Sequence, residues 1–177
     1  DRALPPVDPA PEDPVETAPA TGLLVIVYGD DGPGARQAEA SVMRSLRNRR
    51  GVTPMDASSL ALIRGTEPAV RAALQGDFLA LAELGREQRA EFMIVGDLRS
   101  SARAGAGPMH SGSAQLDLRM YRVSTGELVE SGVFRVGMGG EPGKVGSSEL
   151  DARTQAADEA GKMGAAAARR WLVRALR

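Results

Sequence analysis

Apolar and polar positions change period several times along the chain, and each change marks an element. GLLVIVYGD, from Gly22, is continuously apolar and bounded by glycine, as expected of a strand buried on both faces. ARQAEASVMRSLRNRRG then sets Ala35, Ala38, Val42, Met43 and Leu46 on one helical face, gathers Arg44, Arg47, Arg49 and Arg50 near its end, and stops at Gly51. Val52 to Met55 reads as a short extended piece, followed by a brief helix capped by Asp56 or Ser58. Pro68 suits the first turn of another helix, which Gly76-Asp77 closes while capping FLALAELGREQR.

EFMIVGDLR is a second strong strand, and the polar, Gly-rich SSARAGAGPMHSGS after it reads as a long hairpin loop. AQLDLRMYRV alternates: Leu116, Leu118 and Met120 point one way, Asp117, Arg119 and Tyr121 the other, the mark of a half-buried strand. Ser124-Thr125-Gly126-Glu127 is a tight turn and LVESGVFRV its antiparallel return. GMGGEPGKVG separates this hairpin from a last helix that opens at Ser148 with Asp151 three residues on and lines one face with Ala156, Ala160, Met163, Ala167 and Trp171. The order β-α-β-α-α-β-β-β-α predicts an α/β fold, a mixed sheet with flanking helices, in one domain over 22–177.

Residues 1–21 differ. They hold six of the eleven prolines, and five acids against Arg2, a net of −4. Too few large apolar groups are present to offset the entropy of ordering, so the segment reads as an extended, acidic tether. Set against −1 for the whole chain, that leaves +3 on residues 22–177. No global field draws the chain to nucleic acid, and aromatics at 3% leave little for stacking on bases. The lack of cysteine excludes thiolate catalysis and cysteine-ligated metals. No apolar run approaches the ~18 residues of a membrane span, and a start at Asp1 fits a mature, processed or truncated chain and hints at export.

Chemistry is sparse. VIVYGDDGPGARQAE has the outline of a phosphate cradle, but Gly29, Gly32 and Gly34 fit neither the dinucleotide nor the Walker spacing. Pro33 removes a donor, and Asp30 and Asp31 repel an anion, so no nucleotide is expected. His110, the single histidine, reads as an exposed loop residue without the companions of a base or metal ligand. Asp97 follows a strand, where acids of α/β enzymes often lie, and with Asp30, Asp31 and Asp56 could form a carboxylate cluster for Mg²⁺; turn and helix capping is the simpler reading. The arginines at 44–50 could meet lipid, glycan or RNA, or simply complement a helix end. No catalytic, cofactor-binding or metal site is therefore assigned.

FLALAELGREQRAEFMIVGDLRS followed by SAQLDLRMYRVSTGELVESGVFRV resembles the curli-secretion channel (CsgG) family and the related TolB amino-terminal domain. The match lies in Leu84-Gly85, Ala90, Ile94-Val95-Gly96, Leu116, Leu118, Arg119, Val123, Thr125-Gly126-Glu127 and Ser131. The resemblance implies a non-catalytic docking or ring-forming module of bacterial envelope complexes, periplasmic or at the outer membrane, binding proteins and copies of itself. Neither Gly-rich loop has the alternation of the family's pore-forming hairpins, and the family's lipidated cysteine is absent; membrane association is expected only through an N-terminal anchor. The alternatives are a monomeric, tethered activator of an envelope enzyme and, further off, a metal- or nucleotide-dependent enzyme.

Overall fold

The computed structural model describes residues 21–29, 32–47, 52–56, 67–105, 107–139 and 141–177. Residues 1–20 of the expected tether over 1–21, the capped helix after Asp56, and Asp30, Asp31, Arg49, Arg50 and Gly51 lie outside them, while Thr21 opens β1. The elements run β1 (Thr21–Gly29), α1 (Gly32–Arg47), β2 (Val52–Asp56), α2 (Glu67–Leu74), α3 (Leu79–Glu87), β3 (Phe92–Ala104), β4 (His110–Arg122), β5 (Glu127–Val136), β6 (Lys144–Gly146) and α4 (Glu149–Ala175). The expected mixed α/β architecture is present, with one additional short strand.

The sheet order is β2-β1-β3-β4-β5, with β6 beside β4. β1 pairs parallel with β2 and β3, whereas β3-β4, β4-β5 and β4-β6 are antiparallel. The chain steps one way from β1 to β2 and back the other way to β3. Right-handed crossovers in opposite directions put their helices on opposite faces. α1 and α4 therefore cover one face, where Leu23, Val25, Ile94, Leu116 and Leu118 are buried with Ala38, Ala156 and Ala160. α2 and α3 cover the other, where Leu24, Ile26, Met93, Val95 and Tyr121 meet Val70 and Leu81. This two-sided burial explains the unbroken apolar run of β1.

Three expectations are corrected. The segment over 100–113 is mostly strand: β3 and β4 pair from Phe92↔Arg122 to Ala104↔His110, so cross-strand partners override the weak strand preference of Ser, Gly and Ala. The stretch before α4 contains β6, which pairs with residues 110–112 of β4. On α4, Met163 is 41% exposed. Gly164 takes the sheet-facing place instead, and a Cβ there would lie 2.7 Å from a methyl of Leu118. Tyr121 does point away from Leu118 as the alternation requires, but into a second core, stacked on Phe78 with ring centroids 4.3 Å apart. At the start of α4 the Ser148 hydroxyl accepts from the Asp151 N–H (3.1 Å), and Asp151 returns a bond to the N–H of Ser147 rather than Ser148.

Candidate functional site

β1 ends beside the middle of β3, Tyr28 opposite Asp97 and Gly29 opposite Leu98, so that Asp97 lies inside a strand rather than after one as expected. Here α2 stops short of covering the sheet. A cleft of about 510 Å³ opens between Tyr28, Arg71, Gln75, Asp97, Arg99 and Asp117. Asp97 and Asp117 occupy facing positions on β3 and β4, on the face that carries Met93, Val95 and Tyr121 lower down. Of the four acids raised by the sequence, Asp97 lines this cleft. Asp30 and Asp31, and the side chain of Asp56, lie outside the described residues.

Each carboxylate has its own guanidinium. Arg99 Nε stands 3.1 Å from Asp97 Oδ2, and Arg119 Nε 4.0 Å from Asp117 Oδ1. Both pairs are i,i+2 along one strand, hence on one face. Burial pushes Asp117 above the ordinary carboxylate value; Arg119 opposes that shift, Asp97 adds to it and Arg99 opposes it. Two carboxylates matched by arginines make a charged, near-neutral surface suited to polar contacts. Among the described residues no group of three or more His, Asp and Glu side chains could hold a metal ion.

His110 begins β4, opposite Ala104 on one side and Gly146 on the other, and is half-buried; it is a strand residue rather than a loop residue. Gly32 and Gly34 belong to the first turn of α1 rather than to a turn before it. Gly29 serves strand packing: a Cβ there would lie 2.4 Å from the Leu98 carbonyl oxygen. Sequence reasoning missed Glu39, a buried carboxylate on α1 that accepts the Val27 N–H at 2.9 Å. The β1-β2 register ends at Val25↔Asp56, so the carboxylate serves a strand donor beyond that end. Its position four after Ala35 and three before Val42, inside the apolar face, was the available signal.

Arg44 and Arg47 close α1 as expected. What the sequence could not show is their neighbour. α1 and α4 run parallel in close contact: Gln37 and Ser41 both donate to Asp158 (2.9 and 3.1 Å), and the Ser45 hydroxyl reaches the Ala165 carbonyl (3.4 Å). Gly161 permits the approach, since a Cβ there would sit 2.8 Å from Ala38 Cα. Between the helices lies a groove of about 550 Å³, with Ser41 and Ser45 at its floor and Arg44, Lys162, Arg169 and Arg170 around it.

No family model matches the chain, and no curated protein matches it in sequence. Solved structures are similar to it. A PelC dodecamer from Paraburkholderia phytofirmans superposes with a TM-score of 0.51 at 15% identity, covering 88% of this chain and 90% of that one. Lipoprotein GNA1162 from Neisseria meningitidis gives 0.42 at 13%, over 67% and 82%. The LpoB C-terminal domain from Salmonella enterica gives 0.38 at 20%, over 68% and 86%. At such identities the PelC likeness is one of fold. Among the described residues no helix is long and apolar enough to cross a membrane.

Proposed function

We propose that this chain is a non-catalytic assembly subunit of a bacterial cell envelope, periplasmic or at the periplasmic face of the outer membrane. It docks proteins, including further copies of itself, from a domain over 22–177 that an acidic tether over 1–21 holds at a distance. One observation carries the reading: on the side of the sheet shared with Asp117 and Tyr121, β5 leaves apolar side chains exposed. On β5 that face exposes Leu128 (45%) and Val133 (46%), flanked by Ser131 and Arg135, beside Gln115 and Arg119 of β4. An apolar pair framed by polar groups is the usual make-up of a protein-binding patch. The charge-matched carboxylates of the neighbouring cleft favour contact over catalysis. The likeness to PelC, itself a dodecamer, and the CsgG- and TolB-like motif around Gly126 support a ring-forming role in the envelope.

Mass measurement in solution, by light scattering or native mass spectrometry, tests this. A discrete oligomer is expected, and Val133→Asp should dissociate it while leaving the circular dichroism of the subunit unchanged. A protein that stays monomeric at high micromolar concentration is the result of the competing reading, a monomeric tethered activator of an envelope enzyme, and overturns self-assembly.

A further inference from the structure

α3 presents two stripes of opposite character. Phe78, Leu81, Ala82 and Leu84 are buried in the second core, and a Cβ on Gly85 would lie 2.8 Å from Met93 Sδ, so this stripe is seated on the sheet. On the other side Leu79, Glu83, Arg86 and Glu87 recur at helical spacing, and all four are exposed. Leu79 is 76% exposed, more than any other large apolar side chain among the described residues. Neither Glu83 nor Glu87 has an ion pair among the described residues. Positions 77–91 carry four acids, Asp77, Glu83, Glu87 and Glu91, against Arg86 and Arg89. The outer stripe of α3 is therefore an apolar group followed by unpaired negative charge.

β4 and β5 show the complementary sequence of groups. Asp117, Gln115 and Ser113 share one side of β4, and Val133 and Arg135 of β5 stand opposite the first two. Val133 is 46% exposed. Arg135 donates to Gln115 Oε1 at 3.1 Å, a neutral partner that leaves its positive charge standing. The Ser101 and Ser113 hydroxyls share a hydrogen bond of 2.8 Å, and Arg103, two residues beyond Ser101, has no ion pair among the described residues. The acids nearby do not cancel these cations, since Asp97 is held by Arg99 and Asp117 by Arg119. Glu141 borders the hollow around Arg103 without pairing with it.

The two rows also agree in spacing. Glu83 and Glu87 follow Leu79 at about 6 and 12 Å along a helix. Arg135 and the level of Ser113 follow Val133 at about 7 and 13 Å along a strand. We propose that the outer stripe of α3 in one copy lies along β4-β5 of another, with Leu79 on Val133, Glu83 against Arg135, and Glu87 at the Ser101-Ser113 hydroxyls in front of Arg103. This rests on the reading of the β5 face as a surface for further copies and names what meets it. The α3 of the same chain is not the occupant, because Phe78 is stacked on Tyr121 and the outer stripe points away from that sheet. Two β5 faces meeting each other would set arginines against arginines, which disfavours a like-with-like contact. Each copy thus offers one of two unlike surfaces at each contact, the arrangement from which rings are built.

Native mass spectrometry of the full-length protein tests the pairing. Leu79→Asp should leave the circular dichroism unchanged and raise the dissociation constant at least about tenfold, as should Val133→Asp. An equimolar mixture of the two variants separates unlike from like contacts. Each supplies the surface that the other lacks, so a heterodimer should form where either variant alone is monomeric. Glu83→Arg with Glu87→Arg should weaken the oligomer, Arg103→Glu with Arg135→Glu likewise, and the chain carrying both sets should reassemble. An oligomer that survives Leu79→Asp, a mixture that stays monomeric, or reversals that do not rescue one another overturn the proposal. If Val133→Asp still dissociates the oligomer in those cases, the β5 face binds copies and only its pairing with α3 is wrong. A parent chain that is monomeric at high micromolar concentration overturns both.

Discussion

Replacing Gly112 by alanine tests how α4 is seated. Gly112 lies on β4 beneath the first turns of α4, between Ala102 of β3 and Lys144 of β6. A Cβ there would stand 2.0 Å from the Ala152 carbonyl oxygen, 2.3 Å from its carbon and 2.9 Å from the Arg153 nitrogen. An ordinary C···O contact is about 3.3 Å, so the start of α4 must withdraw by roughly 1 Å. All three atoms belong to the main chain, and no rotamer change relieves the clash. Overpacking typically costs 1–3 kcal/mol, and an unyielding wall puts this case at about 3 kcal/mol. For a chain of this size that lowers Tm by roughly 6–12 °C. Gly107→Ala is the control: its φ is +69° with nothing within 4 Å of the added carbon, so only the backbone cost of about 1 kcal/mol applies. Thermal unfolding followed by circular dichroism compares the two, and hydrogen exchange should show new opening at residues 149–157 in Gly112→Ala alone. Equal losses in the two variants would refute this seating of α4.

Two further outcomes follow from the cleft and from the second core. Carboxyl NMR should find Asp117 titrating above the ordinary value, lower in Asp97→Asn and higher in Arg119→Gln, since Asp97 raises it and Arg119 lowers it. A raised folded value means that the fold favours the protonated form: the associated stability is present below the unfolded pKa and lost as pH rises through the folded one. Asp117→Asn, which imitates the protonated form, should thus be no less stable than the parent at neutral pH, and a clear loss there contradicts the assigned cause. Tyr121→Phe removes the bond from the Tyr121 hydroxyl to the Ala73 carbonyl. That carbonyl keeps the Gly76 N–H at 3.0 Å, so the cost should stay near 1 kcal/mol, a Tm drop of about 2–4 °C, with faster exchange confined to α2.

Elements whose pattern is set by their own residues were legible in the sequence. The two-sided run of β1, the alternation of Leu116, Leu118 and Met120, and the turn at Gly126, whose φ is +71°, each carry a local signature. Features set by partners were not. β3 extends through Arg99–Ala104 because β4 pairs with it, and Gly164 rather than Met163 faces the sheet because α4 closes onto Leu118. The site divides in the same way. Asp97 was visible as an acid next to an apolar strand, though it lies inside β3 rather than after it, and its companion Asp117, twenty residues later, is fixed only by the β3-β4 register. The groove needs Arg44 and Arg169, far apart in sequence, and emerges only from the parallel packing of α1 and α4.

The shape of the sheet also limits how a partner can dock. β5 is an edge strand among the described residues, and a bare edge invites indiscriminate strand addition. Here the edge is guarded. The register shifts between Met120 and Tyr121, a bulge that twists β5 locally, and Glu127, Glu130 and Arg135 place charges along it. Glu130 is held by Arg174 of α4, which fixes one of these charges in place. On the face formed by Leu128, Ser131 and Val133 the nearby charges are each engaged, Asp117 with Arg119 and Arg135 with Gln115. A docked protein therefore gains by burying the face while the edge stays solvated, which is why Val133→Asp, on the face, is the substitution expected to abolish association.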